Sequence, residues 1–132
     1  MTGRKVDYVG APAIFALSEA CRTINEAFGD YGCYLVGSAL ERADHRDVDV
    51  RCIMKDDSFH ALFPGLDTHA IETGAAVWEL DARWVLVNVA IAERLARITG
   101  LPIDFQIQPQ GWANERHKGP RHPLGVFIAK EN

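Results

Sequence analysis

Three carboxylates, Asp47, Asp49 and Asp104, carry the chemistry that this chain could perform. Asp47 and Asp49 fall in the run Arg46-Asp-Val-Asp-Val50, where an extended backbone puts Asp47, Asp49 and Arg51 on one face and Val48, Val50 and Cys52 on the other. The run Pro102-Ile-Asp-Phe-Gln-Ile-Gln108 repeats the arrangement, with Asp104, Gln106 and Gln108 opposite Ile103, Phe105 and Ile107. Carboxylates two residues apart on a strand have alpha carbons about 7 Å apart, and two charges at that distance repel by roughly 2.4 kcal/mol at an effective dielectric near 20. A third acid on an adjacent strand adds to the repulsion unless magnesium or manganese neutralises it. Hard carboxylate oxygens suit these ions, which also bind phosphate. Two such ions about 3.5–4 Å apart would serve phosphoryl or nucleotidyl transfer.

A phosphate needs its own cradle, and the segment Tyr34-Leu-Val-Gly-Ser38 supplies a candidate just upstream. Glycine lets the backbone approach a phosphate closely, and exposed N–H groups with the Ser38 hydroxyl can donate to it. Arg42 and Arg46, near this turn, are candidate phosphate ligands, and Arg51 reads either as an ion-pair partner of Asp49 or as a further phosphate ligand. His117, Lys118, Arg121 and His122 read as a solvated tail that could alternatively close over a triphosphate.

The elements that must position these groups can be read from periodicity. Apolar residues at Ile14, Leu17, Cys21, Ile24 and Phe28 predict an amphipathic helix over about 12–28, with Pro12 near its first turn and Gly29 at its end. Strands are expected at 34–36, at 46–54 and up to about Gln108. Residues 55–77, broken by Pro64-Gly65 and Gly74, read as a long, partly ordered loop in which Lys55-Asp-Asp-Ser58 could start a short helical turn. From 81 to 99, Val85, Val87 and Val89 would suit a strand, but length and the Ala-Glu-Arg-Leu-Ala-Arg end favour a helix that Gly100 and Pro102 stop. Apolar residues on more than one side of that helix make it either central or packed against a second subunit, so a homo-oligomer is possible. From about 109 to 132 the chain is a polar tail without periodicity.

The 132 residues fit one domain of α/β (α+β) class, a small mixed sheet backed by helices. Lys+Arg 14 against Asp+Glu 18 gives a net charge of -4, which argues against a broadly basic nucleic-acid coat. Three cysteines, Cys21, Cys33 and Cys52, without CxxC spacing suggest neither a disulfide framework nor a zinc site. With no apolar signal core near Met1 and no uncharged stretch long enough to span a bilayer, a cytoplasmic protein with no membrane partner is expected.

In their order and spacing, Gly37-Ser38, Asp47-Val48-Asp49 and Ile103-Asp104-Phe105 resemble the motifs of the nucleotidyltransferase superfamily related to DNA polymerase beta, especially its small minimal members from prokaryotes and phages. The resemblance covers roughly residues 30 to 108. It implies the nucleotidyltransferase fold, Asp47 and Asp49 as ligands of both metals, Asp104 as ligand of the catalytic metal, and Ser38 at the triphosphate. The implied activity moves a nucleoside monophosphate from a nucleoside triphosphate to a hydroxyl acceptor on protein, RNA or a small molecule. Only eight residues separate Ser38 from Asp47, and Ala39-Leu-Glu-Arg-Ala-Asp-His45 replaces the small-residue helix common after the turn. The competing reading is a catalytically inactive nucleotide-sensing or partner-binding module, as a regulatory protein or an antitoxin would be. A metal-dependent nuclease is a third reading, disfavoured because Asp104-Phe-Gln106 has no lysine two residues after the acid.

Overall fold

The computed structural model describes residues 9–40, 47–66, 78 and 81–126. Helix α1, Ala13–Phe28, starts after Pro12 and ends at Gly29, whose positive φ of 64 and N–H bond to Asn25 C=O close the last turn. Its buried residues Leu17, Ala20, Cys21 and Ile24 form the stripe expected of a 3.6-residue period. Strand β1, Gly32–Val36, then runs into a 3-10 turn over Gly37–Leu40, and β2 spans Val48–Met54. A short helix, α2, occupies Asp56–Leu62. Helix α3, Ala82–Thr99, resolves the ambiguity of its valines in favour of helix. The Asp81 side chain accepts from Trp84 N–H at 2.9 Å at its start, and Gly100 caps its end in the left-handed region. Strand β3, Ile103–Pro109, helix α4, Gln110–Arg116, and strand β4, His122–Leu124, follow.

The architecture is mixed α+β, with a four-stranded sheet in the order β3-β2-β1-β4. β1 pairs antiparallel with β2 and β4, whereas β2 and β3 are parallel, Val48 facing Ile103 and Cys52 facing Ile107. The apolar face of β2 expected from alternation is fully covered: Val48, Val50 and Cys52 are all 0% exposed. They join Cys33, Leu35, Phe105, Ile107 and Leu124 in one core with Leu17 and Cys21 of α1 and Leu95 of α3. Phe59, Phe63, Trp78, Trp84 and Trp112 extend this core as an aromatic chain, neighbouring ring centroids lying 4.7–5.8 Å apart.

Two stretches differ from the sequence reading. Within the expected loop, Asp56–Leu62 is helical, because Asp56 and Asp57 complement the positive end of its dipole and Phe59 anchors it in the core; residues 67–77 lie outside the described residues. The stretch read as a polar tail supplies α4 and β4. Arg121 ties these together, its Nη2 donating to Ala113 C=O, Asn114 Oδ1 and His117 C=O at 3.1–3.2 Å. Asp56 Oδ1 accepts from Gly111 N–H at 3.0 Å, joining α2 to the start of α4. A three-residue strand carrying Pro123 has no periodicity to read, and proline is tolerated there because β4 is an edge.

Asn25 closes the sheet onto α1, accepting from Cys33 N–H and donating to Leu124 C=O, each at 2.9 Å. Asn25→Ala leaves both backbone groups unpaired in a half-buried place, so urea unfolding should show a loss of about 2–3 kcal/mol with the slope unchanged. A loss under about 0.5 kcal/mol would mean that water replaces both bonds. The three cysteines are buried and form no disulfide. Hydrogen bonding to Cys21 and then Cys52, together with burial, pushes the Cys33 thiol well above its ordinary range, so it stays protonated. Among the described residues, no helix is long and apolar enough to cross a membrane.

Candidate active site

Asp49 and Asp104 meet because the parallel register of β2 and β3 makes them direct partners. Each sits at the second position of its strand, on the face opposite the core, so alternation and register together place the two carboxylates side by side. Asp47 lies just before β2 and is exposed. Its charge still reaches Asp49. Gly37, at the end of β1 with a φ of 77, backs directly onto Asp49, and a Cβ at this glycine would collide with the Asp49 Oδ2 atom. Glycine here thus lets the Asp49 carboxylate pack against the turn, where a side chain would displace it. Ser38 lies within the same 3-10 turn. Arg42 and Arg46 fall outside the described residues.

Arg51 takes a part that its position alone did not define. Its Nη1 donates to the Asp104 carbonyl at 2.8 Å and to the Val50 carbonyl at 3.2 Å, while Nη2 lies 3.4 Å from Asp104 Oδ2 and 4.0 Å from Asp49 Oδ1. The nearer carboxylate is therefore Asp104 rather than Asp49, and the guanidinium spans both strands. Beyond it, Gln108 Nε2 donates to Gln106 Oε1 at 3.0 Å along the same face. His117, following α4, acts on Asp49 as a favourable neighbouring charge. The sequence left His117 either in a solvated tail or in one closing over a triphosphate; its place beside Asp49 depends on the turn that Arg121 holds by donating to the His117 carbonyl.

Burial pushes the Asp49 carboxyl up from its ordinary value of 3.8; Arg51 opposes that shift, Asp104 and Asp47 add to it, and His117 opposes it. The folded protein therefore binds this proton more tightly than the unfolded chain does. Stability of the metal-free protein should fall as pH rises from about 3.8 through the raised value, with the full loss present above it. Asp49→Asn removes this penalty. Melting in a chelator should place the variant above wild type at pH 7, with the gap closing toward pH 3.8; a variant less stable at pH 7 would show that the Arg51 contact outweighs burial.

The donors here are hard oxygens, the chemistry that magnesium or manganese requires, and the Gly37 turn lets the Asp49 carboxylate lie directly against its backbone. Among the described residues, no group of three or more His, Cys, Asp or Glu side chains is already gathered as a ready metal cage. Asp49 and Asp104 are adjacent, Asp47 stands at the rim, and Arg51 supplies the positive charge between strands. Divalent metals in phosphoryl-transfer sites usually take only one or two carboxylates, completing their shells with water and substrate phosphate. Comparison of the chain with known protein families, with curated proteins and with solved structures finds no match to any of them.

Proposed function

We propose that the protein is a metal-dependent nucleotidyltransferase with the nucleotidyltransferase fold, moving a nucleoside monophosphate from a nucleoside triphosphate to a hydroxyl acceptor with release of pyrophosphate. The observation that carries this reading is the in-register pairing of Asp49 with Asp104 beside the Gly37 turn. Asp49 and Asp104, with Asp47 at the rim, would hold magnesium or manganese, and the turn's backbone N–H groups would receive the triphosphate. Bound there, the metal would lower the pKa of the acceptor hydroxyl and offset the charge of the departing pyrophosphate. The acceptor oxygen bonds to the α-phosphorus, the bond from that phosphorus to the bridging oxygen breaks, and the hydroxyl proton passes to solvent.

One observation favours a second reading, a module that senses nucleotide without reacting. Arg51 already sets a positive charge against Asp104 and, more distantly, Asp49, which offsets their repulsion without any metal. The two readings share triphosphate binding and part at transfer. Melting of the purified protein should rise only when a triphosphate and magnesium or manganese are present together, by about 10 °C at a hundredfold excess over Kd. Absence of a shift with all four common triphosphates would remove both readings. Incubation with each labelled triphosphate, followed by a search for labelled self or co-purifying partner, then separates transferase from sensor.

A further inference from the structure

We infer that the outer edge of β3 is a docking site for an extended peptide segment that alternates apolar and basic side chains. The Val48 N–H donates to Pro102 C=O at 2.8 Å, which turns the even-numbered peptide groups of β3 toward β2 and the odd-numbered ones outward. Outward groups of Ile107 are taken by α3: Asn88 Oδ1 accepts from its N–H at 2.7 Å, and Trp84 Nε1 donates to its C=O at 3.1 Å. Ile103 and Phe105 have no such partner among the described residues. Along them runs a groove of about 390 Å³ between β3 and α3, floored by Val89, Ala92, Ala96 and Phe105 and bordered by Glu93 and Asp104.

Backbone polarity, room and charge together define the occupant. A strand added here would bond to Ile103 and Phe105, and its side chains would alternate between two surroundings. One set enters the space over the small Ala92 and Ala96; the other lies on the Asp104 face. The first is apolar; the second presents the Asp104 carboxylate, which is 43% exposed even with Arg51 beside it, so the fitting segment alternates apolar and basic side chains. Nucleic acid is disfavoured because its phosphates would meet Glu93 and Asp104 on a chain of net charge -4. A second copy pairing antiparallel through Ile103 and Phe105 would set Asp104 directly across from its own counterpart, and like charges so placed oppose pairing. This inference does not depend on nucleotidyl transfer.

The test uses the full chain labelled with nitrogen-15 and an end-blocked six-residue peptide alternating valine and lysine. In the free protein, the Ile103 and Phe105 amides should exchange with solvent faster than the amides of β2. Adding the peptide should shift and protect those two amides. A peptide with glutamate in place of lysine, and one N-methylated on alternate residues, should each bind at least tenfold more weakly. Four results would overturn the inference: slow exchange at Ile103 and Phe105 in the free chain, no shift at these amides with the lysine peptide, equal binding of the glutamate peptide, or concentration-dependent self-association protecting the same amides.

Discussion

Asp104→Asn is expected to cut nucleotidyl transfer by at least about 10³-fold, equivalent to roughly 4 kcal/mol of barrier, while leaving triphosphate affinity within about tenfold. The asymmetry follows from position. Asp49 backs onto the Gly37 turn, where the triphosphate would lie, whereas Asp104 stands one strand further out with its side chain 43% exposed. Asparagine retains the size and removes the charge needed to support activation of an acceptor hydroxyl. Arg51 keeps its bond to the Asp104 carbonyl in the variant, so the fold should survive, and a melting curve checks that directly. Asp47→Asn, beside the turn, should weaken binding and transfer together. If wild type transfers to no acceptor in a host lysate and Asp104→Asn leaves the biological effect intact, the sensing reading replaces the catalytic one.

The largest loss of stability is expected from Phe59→Ala, about 3–5 kcal/mol, a substantial share of the 5–15 kcal/mol that holds a typical domain together. Phe59 is 0% exposed and is the one fully buried side chain of α2. Its ring lies 5.2 Å from Phe63 and 5.8 Å, edge to face, from Trp78. Truncation removes the anchor of a seven-residue helix too short to persist alone. Chemical denaturation should show the midpoint falling at nearly constant slope; a loss below about 1 kcal/mol would mean that the neighbouring rings collapse into the space.

These two residues also show where sequence was informative and where it was not. Asp104 could be placed because strict alternation from Ile103 to Ile107 separates a core face from a polar face, and the register then set it beside Asp49. Helix α1 was legible from an apolar period closed by Gly29, whereas α3, with apolar residues on more than one side, was legible from its length, its Ala-Glu-Arg-Leu-Ala-Arg end and the stop at Gly100. Phe59 could not be placed, since a two-turn helix with one buried residue generates no period, and its stability comes from Trp78 and Phe63, distant or local aromatics whose meeting only tertiary packing decides. β4 escaped notice for the same physical reason, being three residues whose identity as a strand rests on pairing with β1. The bridge from Arg51 to Asp104 depends on strand neighbours rather than on the local pattern that pointed to Asp49.

The parallel pairing of β2 with β3 has a consequence for the newly made chain. Arg51 and Asp104 are 53 positions apart, with all of α3 between them, so a nascent polypeptide emerging at roughly 5–20 residues per second exposes Asp49 well before its partner exists. Until β3 emerges, the first acid belongs to an open strand edge. Asn25 must wait longer, for a carbonyl 99 positions downstream. Any capacity of the paired acids to capture a cation is thus withheld from truncated translation products and arises only in molecules that have completed this long-range closure.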